Sequence, residues 1–143
     1  MSIKFSELKK YVVPTIIVFI VVTIFDMVFH GIIMEKSYLA NSHLFRPQDE
    51  IQKHKCCMWL ANLIYSFAFC FIYSKGHEKK EDNLSQGLRY GLWVSLLIWV
   101  PQAIVSHTIY PYPASLELKW LLGYTVQSII AGMTIAMVYL KAK

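Results

Sequence analysis

Charge is scarce in this chain. Only 16% of its 143 residues are Asp, Glu, Lys or Arg, while 56% are hydrophobic. An ordinary soluble domain carries about a quarter charged residues, so that class is excluded, and the length leaves room for one compact unit. Cysteine is equally thin. Cys56 and Cys57 are adjacent, a spacing that strains a mutual bridge, and Cys70 falls near the opposite end of the same apolar run. That pattern gives neither a disulfide framework nor a CxxC redox pair, and buried small hydrophobes are the expected role. GxSxG, P-loop and HExxH patterns are also missing, so hydrolase, nucleotide-binding and metalloprotease readings have no support. The pI near 9.1 comes without an aromatic-rich basic patch, and nucleic acid is not an expected partner.

What the chain does have is four long apolar runs, from Tyr11 to about Ile33, Cys56 to Tyr73, about Leu88 to Thr108, and Trp120 to Leu140. Crossing a hydrocarbon core of about 30 Å takes roughly 20 helical residues. Backbone amides in lipid must pair within the segment, which selects helices; barrel strands would be shorter and would alternate in polarity. The expected fold is therefore all-α, a single four-span bundle covering residues 1–143. The first run lacks a small-residue cleavage site and three more spans follow it, so it is expected to be retained rather than removed as a signal peptide.

Orientation is read from Lys and Arg. Lys4, Lys9, Lys10, Lys75, Lys79, Lys80, Arg89, Lys141 and Lys143 fall on one side, against Lys36, Arg46, Lys53, Lys55 and Lys119 on the other. Nine against five puts both termini in the cytoplasm, and the basic excess doubles as attraction to anionic lipid headgroups.

The connections carry their own signals. Lys4 to Lys10 forms a short amphipathic entry, and Pro14 sits in the first turn of helix one, where a missing amide is tolerated. Arg46-Pro47-Gln48-Asp49-Glu50 is a helix start, with acids complementing the dipole, so helix two is expected to begin near Pro47. Ser74 to Gln86 is a polar hairpin with Gly76 as a stop and Asn83 or Ser85 as a cap. Tyr110-Pro111-Tyr112-Pro113 ends helix three in a tight turn, making helices three and four antiparallel neighbours. Trp59-Leu60 with Tyr73 before Lys75 is echoed by Trp120-Leu121 with Tyr139 before Lys141. A repeat of two like-oriented hairpins or shared aromatic belts would each leave those marks.

Small residues recur every four positions at Gly87, Gly91 and Ser95 and at Ser128, Gly132 and Ala136. Such rows let helix backbones approach, so they are expected as contacts inside the bundle or between subunits. The polar residues within the spans are Asp26, His30, Asn62, Ser66, Gln102, His107 and Gln127. An intramembrane Asp costs about 2.5 to 3.5 kcal/mol on insertion scales, so Asp26 should face partners inside the bundle. His30 lies one helical turn further on, and Gln102 and His107 sit at a similar depth on helix three. Asp26, His30, Gln102 and His107 are thus the candidates for a proton-handling or ligand-binding pocket, with Asp26 setting the tautomer of His30. The same residues read, in the plainer alternative, as a structural hydrogen-bond cluster that fixes helix packing. A metal site would draw on His30, His43, His54, His107, Glu35 and Cys56, but none of these histidines has the close spacing of a dedicated zinc or haem motif.

The runs Phe25-Asp26-Met27-Val28-Phe29-His30-Gly31, Phe45-Arg46-Pro47 and Trp120-Leu121-Leu122-Gly123 resemble short four-span bacterial inner-membrane proteins to which no activity is attached. The resemblance implies a bacterial origin and the four-helix plan. The chain lacks the early membrane Glu of small multidrug exporters, the paired acids of lipoprotein signal peptidases and the Arg-rich site of membrane-associated eicosanoid and glutathione enzymes. The resulting expectation is a non-enzymatic subunit or accessory of a membrane assembly, or a self-associating protein, in a bacterial cytoplasmic membrane and without a cofactor. A proton-coupled transporter or small-ligand binder is the first alternative. A redox subunit with haem between His30 and His107 is the second.

Overall fold

The computed structural model describes residues 5–78 and 82–141, with side chains from 11 to 78 and from 82 to 138. Among the described residues every regular element is helical. Helix α1 (Phe5–Val28) runs into a π-helical turn, Phe29–Ile33, followed by the short α2 (Glu35–Ala40), a 3-10 turn (Ser42–Leu44) and α3 (Gln48–Lys53). Three long helices complete the chain: α4 (Lys55–Gly76), α5 (Asn83–Ile109) and α6 (Ala114–Lys141). Four segments are long and apolar enough to cross a membrane: Tyr11–Ile33, Lys55–Gly76, Asn83–Ile109 and Ala114–Val138. At 1.5 Å per residue each exceeds about 30 Å. Four such helices are compatible with a small integral membrane protein.

The boundaries follow local chemistry. Helix α3 starts after Pro47 with Asp49 and Glu50 in its first turn, but it breaks at His54, so the early start and the span are separate helices. Helix α4 ends at Gly76. The cap of α5 is Asp82, in place of the expected Asn83 or Ser85: its carboxylate accepts from the Ser85 N–H at 2.9 Å and the Ser85 hydroxyl at 2.8 Å. These bonds hold the Asp82 carboxyl below its ordinary value. Lys4, Lys79, Lys80 and Lys143, on which the inside-positive expectation leans, lie outside the described residues, as do the side chains of Lys9, Lys10, Tyr139 and Lys141.

The tightest packing in the bundle is α5 on α6, and the rows of small residues make it. A methyl group built on Gly91 would lie 2.6 Å from the Cα of Ile129, and one on Gly87 would lie 2.8 Å from the Cβ of Ala136. Only hydrogen fits there. Ser95 and Thr125 continue the seam with a hydroxyl pair at 2.7 Å. Helix α1 packs on both α4 and α6, burying Val18 and Val22 with Phe69, Cys70, Ala131 and Ile135. At one end α4 also meets α5, where Tyr90 donates to the Phe69 carbonyl at 2.7 Å.

A second core closes the opposite end. The π turn places Phe29 on Gly123, where any Cβ would overlap the ring, and buries it with Met34 and Leu116. Tyr38, Phe45, Tyr112 and Trp120 surround this core, so the connection between the first two spans folds back over α6. Of the three cysteines, Cys70 is buried as expected, whereas Cys56 and Cys57 are exposed at the start of α4.

Candidate functional site

Asp26 faces the bundle interior. One carboxylate oxygen accepts from the Asn62 amide on α4 at 2.7 Å, and the other accepts from the Gln127 amide on α6 at 2.5 Å. Gln127 is 3% exposed and its amide also lies 3.4 Å from the Val22 carbonyl. The carboxylate thereby joins three of the four spans. Amide donors on both oxygens satisfy the carboxyl group without a countercharge, which accommodates a half-buried Asp among apolar helices.

His30 belongs to a neighbouring network. Its Nδ1 lies 2.5 Å from the Tyr38 hydroxyl and its Nε2 lies 3.3 Å from the Tyr124 hydroxyl. The Trp120 indole N–H, which can only donate, bonds to the Tyr38 oxygen at 2.9 Å. Trp120, Tyr38, His30 and Tyr124 thus form one chain of contacts, in which only the Trp120 bond has its direction fixed by chemistry; the roles of the two His30 nitrogens follow its tautomer. Tyr124 stacks on Trp99 at 4.3 Å, and Trp99 donates to Ser128, which Tyr65 also meets at 3.2 Å. Burial pushes the Tyr38 phenol above its ordinary value, and the Trp120 bond opposes that shift.

The remaining candidates are placed elsewhere. Gln102 is exposed, and no described hydrogen bond reaches it. His107 is exposed near the end of α5, where its Nδ1 pairs with Glu117 Oε2 at 2.6 Å; Glu117 is 6% exposed and its Oε1 has no described partner. The anticipated collection of one carboxylate, two imidazoles and one amide thus divides: Asp26 bonds Asn62 and Gln127, His30 bonds Tyr38 and Tyr124 instead of the Asp26 carboxylate expected to set its tautomer, and His107 pairs with Glu117 in a groove of about 380 Å³ between α5 and α6. His54 is exposed and bonds to the Glu50 carbonyl at 2.9 Å, beside exposed Cys56. Among the described residues no three His, Cys, Asp or Glu side chains gather as a metal site would require.

Sequence reasoning named Asn62 and Gln127 as polar span residues without pairing them to Asp26. The depth argument selected Gln102 instead, because single-chain periodicity gives no azimuth for α5 relative to α1. Tyr38, Tyr124 and Glu117 went unnamed, since aromatic residues at span ends look like interfacial belts and Glu117 looks like a first-turn acid. No family model, curated protein or solved structure matches this chain.

Proposed function

We propose that this is a non-enzymatic membrane protein acting as a subunit or accessory of a larger membrane assembly, or as a homo-oligomer, in a bacterial cytoplasmic membrane with both termini inside. One observation carries the reading: both Asp26 oxygens are taken up by amides on two other spans. The ionisable pair that suggested chemistry is engaged in holding helices together. Large apolar side chains stand out on the surface of the spans, with Trp93, Leu97 and Ile104 of α5 all more than 60% exposed. No cofactor enters this reading. Purification in a mild detergent followed by native mass spectrometry tests it. Companion subunits or a defined number of copies are expected, and Asp26→Asn should retain them. A lone protomer holding a small molecule would contradict it.

A second reading, a proton-coupled transporter or small-ligand binder, draws on the contact of both His30 nitrogens with phenols and on the absence of a countercharge among the described partners of Asp26. Under that reading Asp26→Asn abolishes a pH-dependent ligand response while the bundle stays folded.

A further inference from the structure

At the end of the bundle that carries α2 and the α5–α6 turn, two helices present matching polar faces. Lys36, Ser37 and Asn41 lie on one side of α2, and Ser115 and Lys119, four residues apart and so on one face, lie on the first turns of α6. Between them is an open cavity of about 310 Å³ floored by the fully buried Leu116. That volume is at the small end of the range of about 300 to 1,000 Å³ typical of ligand sites.

The donors at this cavity outnumber its acceptors. Lys119 Nζ donates to Ser37 Oγ at 2.9 Å, which ties the lysine across the gap and leaves the Ser37 hydroxyl able to donate in turn. Asn41 has an amide hydrogen beyond the one given to the Ser37 carbonyl. Lys36 adds a second ammonium, and the first turn of α6 adds the positive end of a 28-residue helix. Tyr38 and Trp120, each next in sequence to a cavity residue, pack on one another in the aromatic cluster at this end, a composition expected where spans meet a membrane interface.

We propose that this cavity binds an anionic phosphodiester, and that its source is the headgroup of a phospholipid such as phosphatidylglycerol. Two ammonium groups more than neutralise the single negative charge of a phosphodiester, and two hydroxyls can donate to its free oxygens. The site does not depend on which reading of Asp26 holds.

The test uses the full chain, delipidated in detergent and titrated with short-chain phosphatidylglycerol, short-chain phosphatidylcholine or inorganic phosphate, with adducts counted by native mass spectrometry. Phosphatidylglycerol should bind in preference to phosphatidylcholine, and Lys36→Gln with Lys119→Gln should weaken it by about tenfold or more. Lys36→Arg with Lys119→Arg should retain binding, which separates loss of charge from loss of fold. Lys53→Gln, on α3, should behave as the unaltered chain. Equal retention in the double Gln variant would overturn the site. Displacement of the lipid by inorganic phosphate at matched concentration would overturn the lipid as its source.

Discussion

Gln127 donates to Asp26 at 2.5 Å across a separation of 101 residues, and Asn62 donates to the same carboxylate from 36 residues away. Helix α1 is thereby tied to α6 and α4 at one point. Lipid offers no hydrophobic force to pull spans together, so a polar tie of this kind has a larger share of the work than it would in water. Replacing Asn62 by Leu removes one tie and leaves a carboxylate oxygen bare. A loss of about 1 to 2 kcal/mol is expected, measured by reversible unfolding in mixed micelles.

The α5–α6 seam should be intolerant of a single methyl. Gly91→Ala would bring its Cβ to 2.6 Å from the Ile129 backbone, so the helices must separate. A cost of about 1 to 3 kcal/mol follows from overpacking. Gly31→Ala is the control, because nothing lies within 4 Å of its added Cβ. The same unfolding assay should show little change there.

Tyr38 is the hinge of the second network. Tyr38→Phe leaves the Trp120 N–H without its acceptor and His30 Nδ1 without its phenol partner, at a cost of about 1 kcal/mol and with a shift in tryptophan emission. The buried phenol titrates above its ordinary 10.0. Its contribution to stability is therefore complete below pH 10 and is lost as pH rises through the higher folded value. A difference absorbance titration between the two proteins should show one late-titrating tyrosine missing from the variant.

Much of this architecture was legible in the sequence, and the reason is solvent. Lipid forces helices of a set length, so the four spans, the Gly76 stop and the Tyr110-Pro111-Tyr112-Pro113 turn were readable from hydropathy and turn chemistry. The Gly87-Gly91 and Ser128-Gly132 rows likewise announced a close seam. Rotation about each helix axis was not legible, because a periodic apolar segment looks alike from all sides to a lipid-facing count. Gln102 was therefore paired with Asp26 in place of Gln127. The π turn at Phe29 goes with the packing of that ring on Gly123 of α6, a tertiary contact that no residue in the stretch announces by itself.

The α5 cap gives a pH signature outside the membrane. Asp82 has a carboxyl held below its ordinary 3.8 by the Ser85 N–H and hydroxyl. A depressed folded value means that its stabilisation is present above that ordinary value and is lost as pH falls through the folded one. Asp82→Ala should melt earlier than the unaltered protein at neutral pH, with the gap closing as pH falls below the ordinary 3.8 and through the lower folded value. Thermal melts followed by circular dichroism across that range provide the check.

The central claim is that Asp26 fastens helices, and a double-mutant cycle on Asp26 and Gln127 measures it most directly. Asp26→Leu, Gln127→Leu and the pair together should give a coupling of about 1 kcal/mol in unfolding free energy, near the upper part of the range seen for interhelical bonds in membranes. Additive effects, with no coupling between the two positions, would contradict the account.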